Sequence, residues 1–314
     1  MSEEPLHVVL GAGGGTGGAI VRLLADGGRR VRAVARRPLE VEDAVEQLQA
    51  DVSTSDGARA ACAGAAVVYH CVQPPYTRWP QQFPPLTRAI IDAATHTAAK
   101  LVMADNLYAY GPGAQSPLTE DQPQRASGRK GRVRVQMSEE LLALHADGRL
   151  DVAIGRASDL YGPGARNSVA GERVFYRAIA GRAVALPAKL DRPHSWSYVD
   201  DVARGLITLA DRAEAGGQIW HLPTAEPLTG EMFLRLVFKA AHQRPKLRRL
   251  PASAVRAAAL VNPMARELSE TLYQFQHPFI LDWTKYERAF GPAKPTPHAD
   301  AIQSTVAWYR AAAS

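Results

Sequence analysis

Short apolar runs recur along the first half of the chain, each cut off by glycine, proline or charge. They are LHVVL (6–10), RVRAVARRP (30–38), AAVVYHCVQPP (65–75), AKLVMA (99–104) and RLDVAIGRASDLYGPG (149–164). Their length and valine content predict buried strands. A further short strand is expected just before Asp51 in LQADVSTSDG (48–57). Between the runs the spacing turns helical, as in AIVRLLADGG (19–28), with its glycine stop, and PLTRAIIDAATHTA (85–98). Strands alternating with helices predict a parallel sheet with helices on both faces. Past residue 165 the pattern changes. VAGERVFYRAIAGRAVALP (169–187) reads as an amphipathic helix and a short strand. DRPHSWSYVDD (191–201) returns to the core, and from about residue 225 the segments are mostly helical.

The first strand runs into GAGGGTGG (11–18) and then into a helix. That order gives a glycine motif its meaning. Gly11, Gly14 and Gly17 stand at G-x-x-G-x-x-G spacing, with Gly15 and Thr16 at the helix start. The pattern lets backbone approach a pyrophosphate, which the helix N-terminus meets with N–H donors and a positive dipole. The fold expected is therefore α/β: a Rossmann-type doubly wound parallel sheet. The second strand ends at Arg36-Arg37, and no acid lies between Arg30 and Pro38. A carboxylate there would suit a ribose hydroxyl, whereas arginine suits a 2′-phosphate. NADP is thus favoured, with NAD as the alternative. Asp51, followed by Val52, is placed to touch the adenine edge, and Gln73 closes the next strand in a Gln-Pro-Pro turn.

Composition is that of a soluble globular protein: 314 residues, 46% hydrophobic and 22% charged. The apolar runs are broken well short of a membrane span. A strand starting near residue 6 leaves no room for a signal peptide, and cytoplasmic localisation is expected. Cys62 and Cys71 read as two free thiols, and no metal-binding motif is present. The net charge of +6 is concentrated in RASGRKGRVR (125–134) and KLRR (246–249). Neither run is interleaved with aromatics, so nucleic acid is not the expected partner. A solvated face or a phosphorylated cofactor accounts for the positive charge.

The motifs in order resemble the extended short-chain dehydrogenase/reductases, the NAD-dependent epimerase/dehydratase family, over nearly the whole chain. The resemblance rests on the glycine motif, Asp51-Val52, YGPG (110–113), RASDLYGPG (156–164), WSYVDDVARGL (196–206), GQIWHLP (217–223), DWTKYERAFG (282–291) and IQSTVAWYR (302–310). It implies a dinucleotide-binding domain from residues 1–165 plus a return segment, 194–224. A smaller, mostly helical substrate lobe would comprise 166–193 and 225–314. It also implies a small-molecule substrate in the cleft between lobes and a possible homodimer. Asp159, Tyr161, Arg166, His194 and Trp196 are the candidates to line that cleft. For His194 a loop histidine without a role is the plain alternative.

The family's chemistry rests on a Ser or Thr at a strand end and a Tyr-x-x-x-Lys on the next helix. Here Asn106 stands where the Ser/Thr is expected, and GRKGRVRVQMSEELLALH (128–145) contains no tyrosine. One register puts Lys130 in the tyrosine place and Arg134 in the lysine place. A shift of one gives Gly131 and Val135. The chain therefore resembles an atypical member. The candidate catalytic groups are Asn106 as a donor to a carbonyl, Asp105 as a base, Tyr108 as a spare phenol, and Arg134 as an anchor for ribose or phosphate. Lys130 joins the cofactor contacts. Each has a plain alternative: strand-end caps for Asp105 and Asn106, core aromatics for Tyr108 and Tyr110, a surface charge for Arg134. Three functions follow: an NADP-dependent oxidoreductase on a small carbonyl or alcohol; a catalytically silent NADP-binding sensor or scaffold; and, less favoured without the Tyr-Lys pair, an epimerase or dehydratase. No sugar-nucleotide signature stands out.

Overall fold

The computed structural model describes residues 4–40, 43–187 and 189–313. Six strands form first: β1 (Leu6–Leu10), β2 (Val31–Ala35), β3 (Glu46–Gln49), β4 (Ala65–His70), β5 (Lys100–Asn106) and β6 (Val152–Ala157). Four short ones, β7 (Asp159–Tyr161), β8 (Val184–Leu186), β9 (Pro193–His194) and β10 (Trp196–Tyr198), lead to β11 (Gln218–His221). β11 joins β1–β6 in one sheet of order β11-β6-β5-β4-β1-β2-β3, with each neighbouring pair parallel. This is the doubly wound Rossmann arrangement anticipated from the strand–helix alternation. Its order reverses beside β1, where such sheets bind ligands.

Side chains of successive strand residues point to opposite faces. Val8 and Leu10 of β1, Leu101 and Met103 of β5, and Val152 and Ile154 of β6 join one core. Val9, Val102 and Ala153 join the other. Helices α1 (Gly15–Asp26), α2 (Ser55–Cys62), α3 (Trp79–His96), α4 (Arg129–Ala146), α5 (Glu172–Ile179) and α6 (Val199–Asp211) follow in chain order. α2, α3 and α4 cover the first face; α1 and α6 cover the second. Both faces are dry, which is why these strands read as apolar runs rather than alternating ones. α3 begins at Trp79, earlier than the proline at which its spacing suggested a start, and carries Pro84 and Pro85 inside it. Burying Trp79 and Phe83, each 1% exposed, outweighs the backbone bonds lost to the prolines.

The later part of the chain contributes α5, α7 (Gly230–Ala240), α8 (Ala252–Ala258), α9 (Pro263–Thr271) and α11 (His298–Ala311). Short strands pair outside the large sheet: β7 with β10, β9 with β12 (Leu228–Thr229), and β8 with β13 (Leu247–Arg249). α10 (Thr284–Phe290) lies back on the large sheet, with Phe290 4.6 Å from the Trp220 ring of β11. Cys62 and Cys71 are free thiols.

Buried polar links tie the C-terminal edge of the sheet. Asp105 of β5 is paired in register with Arg156 of β6, and Arg156 Nε donates to Asp105 Oδ2 at 2.9 Å. Arg134 Nε of α4 stands 3.2 Å from Asp105 Oδ1. The side chains of both arginines are fully buried. The Arg134 guanidinium stands over both the Trp79 and Phe83 rings, 4.7 and 4.5 Å from their centroids. Arg156 lies 4.9 Å from the Tyr110 ring, and its Nη2 donates to Gln124 Oε1 at 2.8 Å. Nearby, the Tyr110 hydroxyl and His221 Nε2 are 2.6 Å apart, and His70 Nε2 lies 3.2 Å from Thr87 Oγ1.

Asp105→Ala would leave two buried guanidiniums without their carboxylate. It is expected to cost about 3–5 kcal/mol of folding stability, read by denaturant unfolding; a change under about 1 kcal/mol would remove the carboxylate from this structural role. A second expectation concerns acid. Burial depresses His70 to about 3 and His221 to about 4. The unfolded chain therefore binds these protons from about pH 6.5 downward, while the folded protein resists them. The stabilisation is full above pH 6.5 and is lost as pH falls toward 4, by roughly 3 kcal/mol per imidazole. Unfolding free energies at intervals across this window should fall with pH, and less steeply in His221→Gln. A flat profile would contradict the buried neutral imidazoles.

Candidate active site

β1 ends at Leu10, and the chain turns at Gly11 with φ of +86°. Gly11 N and Ala12 N both donate to Val34 O of β2. Gly14 caps α1 without a side chain, and the first turn of α1 carries no acid. Gly18 N returns to Gly14 O, which leaves the amides of Gly15, Thr16 and Gly17 at the open end of the helix. Gly13 and Gly14 are exposed there. A Cβ on Gly17 would lie 2.3 Å from Gly11 O, and one on Gly15 would lie 2.8 Å from Ala165 N. Glycine is thus required by close backbone approach, and the loop at 163–165 closes one wall of the cradle. The donor set fits the pyrophosphate of a dinucleotide.

Around the cradle, Arg36 and Arg37 are exposed just past β2, and Gln49 Nε2 donates to Arg36 O at 2.9 Å. A cavity of about 150 Å³ opens beside them, lined by Arg37, Pro38, Leu39, Gln47 and Gln49 among others. Asp51 is exposed. Its Oδ1 accepts from Ser53 N at 3.0 Å and Ser53 Oγ at 2.7 Å. These bonds, with a smaller contribution from the Arg36 charge, hold its carboxyl below the usual range. Val52 is buried beneath it, and Gln73 is exposed past β4.

At the end of β5, Asn106 Oδ1 accepts from Tyr108 N at 3.0 Å, an Asx turn that shapes the strand end. Tyr108 begins a 3-10 turn, and its hydroxyl lies 3.0 Å from that of Tyr76. Burial holds the Tyr108 phenol well above its ordinary value, and Tyr76 and the Asp159 charge add to the shift. Asp105 does not face an open cleft: its side chain is 1% exposed, with both oxygens turned to arginines. Its placement is that of a structural counter-ion.

Arg134 is no surface charge, since it is buried against the aromatic rings of α3. Burial works against its charge and Asp105 in its favour. Lys130, one turn earlier, is also fully buried. Its Nζ donates to Glu267 Oε2 at 2.6 Å, Glu267 O at 2.8 Å and Glu270 Oε2 at 3.3 Å, and lies 4.5 Å from the Tyr76 ring. Its ammonium is turned to α9 and away from the glycine cradle's role as a phosphate site. A Cβ on Gly131 would lie 2.6 Å from Tyr108 O, so the helix packs directly on the turn.

His194 Nε2 lies 2.8 Å from Asp159 Oδ2, and the His194 ring stacks on Phe275 at 4.9 Å. The Asp159 charge raises Tyr76, Tyr108 and Tyr273, after the larger effect of burial. The Asp159 charge thus reaches phenols from separate segments of the chain. Tyr161 and Trp196 lie in the hydrophobic core instead. Tyr161 is 0% exposed and bonds His298 Nδ1 at 2.8 Å; Trp196 stacks on Phe233 at 4.5 Å. Arg166 rests on Trp308 of α11 at 5.0 Å. Sequence reasoning overlooked Tyr76, Arg156, His221, Glu267 and Glu270. Arg156 alone left a local signal, as a cation inside an apolar strand. Among the described residues no group of three or more His, Cys, Asp or Glu side chains is placed to hold a metal ion, and no helix is long and apolar enough to cross a membrane.

Comparison with known proteins agrees with this architecture. Residues 7–222 match the family described as NAD dependent epimerase/dehydratase. The uncharacterized protein y4nL of Sinorhizobium fredii is 24% identical, over 98% of this chain and 95% of its own. A dTDP-glucose 4,6-dehydratase of Streptomyces griseus is 25% identical, over 71% of this chain and 62% of its own. Among solved structures, the dTDP-glucose 4,6-dehydratase DesIV of Streptomyces venezuelae, with NAD and TYD bound, superposes with a TM-score of 0.80. It is 17% identical, covering 98% of this chain and 97% of its own. The UDP-glucuronic acid 4-epimerase of Bacillus cereus, in complex with UDP-glucuronic acid and NAD, gives 0.79 at 15% identity, covering 98% and 99%. With a glycine cradle at the turn after β1, a seven-stranded parallel sheet and a family match over residues 7–222, this chain belongs to the NAD-dependent epimerase/dehydratase family.

Proposed function

We propose that this protein is an NADP(H)-dependent oxidoreductase acting on a small carbonyl or alcohol through a non-standard active site. The observation that carries the cofactor choice is the exposed Arg36–Arg37 pair at the end of β2, beside the glycine cradle. No carboxylate shares that strand end, so the site suits a 2′-phosphate better than a bare ribose. The solved DesIV dehydratase and UDP-glucuronic acid 4-epimerase carry NAD; the arginine pair is the reason to favour the phosphorylated form here.

Bound nicotinamide would supply or accept a hydride. The chain's own part is to hold and orient. The amides of Gly15, Thr16 and Gly17 would take the pyrophosphate, with Gly11 and Gly14 shaping the turn. Arg36 and Arg37 would take the 2′-phosphate, Asp51 and Val52 the adenine edge, and Gln73 the cofactor edge past β4. On the substrate side, Tyr108 stays a neutral phenol because burial raises it, so it can donate a hydrogen bond to a developing oxyanion. Asn106 offers its amide as a second donor. Asp159 and His194 line the substrate side. Arg134 acts through Asp105 and the α3 rings to position α4.

One observation favours a second reading, a catalytically silent NADP-binding sensor. The Lys130 charge is matched by Glu267 and Glu270, so it is not available to lower a phenol toward neutrality. An epimerase or dehydratase, which needs a stronger base, has less support from these groups than either.

Titration with NADPH and NADH, followed by nicotinamide fluorescence, tests the cofactor. Arg36→Glu should weaken NADPH binding by roughly ten- to a hundredfold, the value of a charge-assisted bond, and leave NADH nearly unchanged. Binding of neither nucleotide would overturn the proposal. Consumption of NADPH across a panel of aldehydes and ketones then separates the two readings. Turnover that drops about 10²-fold or more in Tyr108→Phe supports the oxidoreductase. Tight NADPH binding without turnover of any carbonyl would establish the sensor.

A further inference from the structure

The basic run at KLRR (246–249) has no place in the site just described. It belongs to an arm formed by β13, α8 and α9. Residues 244–266 contain Arg244, Lys246, Arg248, Arg249, Arg256 and Arg266, and no Asp or Glu. The 37 Lys and Arg of the chain exceed its 31 Asp and Glu by six. With Glu267 and Glu270 farther along α9, the arm sets six cations against two acids and carries four of the chain's six excess positive charges.

The same arm carries an unusual share of exposed apolar surface. Leu250, Leu260, Val261 and Met264 are 37%, 79%, 87% and 53% exposed. Among the described residues only Met232 joins them as an exposed large hydrophobic. The corner bearing Leu260 and Val261 is built rather than loose. Leu260 N and Val261 N donate to Ala257 O and Ala258 O, and Asn262 Oδ1 caps α9 by accepting from Met264 N and Ala265 N. Arg256 lies in the last turn of α8, and Arg266 Nε donates to Ala259 O at 3.2 Å, so a cation stands on each side of the apolar corner in the chain. α8 buries only Val255, so little of this arm is spent on the core. The nearest carboxylates of α9 point inward: Glu267 and Glu270 both bond Lys130.

We infer that this arm docks the protein on an anionic lipid surface, with Leu260, Val261 and Met264 entering the headgroup region and the arginines meeting lipid phosphates. Exposed aliphatic side chains carried on the same arm as a run of cations match such a surface in both of its terms, burial and charge. A nucleic-acid site would use the cations but gain nothing from exposed aliphatic residues, and the arm has no aromatic platform. A second copy of this chain would bring six like charges together. The inference does not depend on the proposed cofactor or substrate.

The full-length protein is sedimented with vesicles of phosphatidylcholine alone and with vesicles carrying about one-third phosphatidylserine. Pelleting with the anionic vesicles should be at least about tenfold stronger than with neutral ones, and should weaken at high salt. Leu260→Asp with Val261→Asp, and separately Arg248→Glu with Arg249→Glu, should each lower it about tenfold or more. Thermal melting should stay unchanged in both variants, since the replaced side chains are exposed. No pelleting with anionic vesicles overturns the inference. So does pelleting that the Asp variant leaves intact, tighter binding to duplex DNA than to vesicles, or a dimer in sedimentation that the Asp variant dissolves.

Discussion

Asp105 holds two buried guanidiniums with one carboxylate, and much of the candidate site is arranged around that imbalance. Register fixes the first contact, because Asp105 and Arg156 are partners on adjacent strands. The second cation, Arg134, comes from α4 and brings that helix down onto the end of the sheet. One carboxylate cannot satisfy both, and several of their nitrogens have no hydrogen-bond partner. Ring faces take up part of the deficit: Trp79 and Phe83 around Arg134, and Tyr110 beneath Arg156. Those rings explain why α3 starts at Trp79 despite its prolines. A buried pair of this kind is weak evidence for stability as such, but removing one partner is costly. The cluster therefore fixes how α3 and α4 seat on the end of β5 and β6.

The site divides into two halves with different physics. The cradle is a backbone object, made by a strand end, a left-handed turn at Gly11 and a helix start. It needs only the absence of side chains, and this chain retains it. The chemical half is made of side chains from distant segments, and there the cations are already matched. Lys130 is held by carboxylates 137 and 140 residues away, and Arg134 by Asp105. The phenols of Tyr76 and Tyr108 touch each other and are raised by burial. A site so built can orient a polarised oxygen with neutral donors, but it lacks the cation-lowered phenol on which proton transfer near neutrality depends.

This division also explains what could be read from the sequence. The strands, the glycine turn and the arginine pair are local patterns a few residues long, and the sheet follows their alternation. The exposed Arg36 and Arg37 stand where the second strand's end implied. Burial of single residues was less legible. Arg134 on a charged helix reads as a surface group until Trp79 and Phe83 are seen around it. Tyr161 and Trp196 come from segments expected to border a cleft, yet each packs in the core against Phe233, because one residue of shift in a strand exchanges its faces. Glu267 and Glu270 left no signal at all: nothing near them in sequence marks Lys130 as their partner. α10, which follows the lobe segments in the chain, returns to β11 through the Trp220–Phe290 contact.

The burial of Lys130 and the character of the outer surface are linked through one helix. A lysine buried at position 130 needs compensating charge, and α9 supplies it with both of its glutamates. Those carboxylates are then unavailable to balance the arginines on the other side of the arm. What remains outward on the arm from residue 244 to residue 271 is cationic and aliphatic, and it carries most of the chain's net charge. Helix α9 thus connects two environments, an inner face that neutralises the buried Lys130 and an outer face whose charge is left for something outside the chain to neutralise.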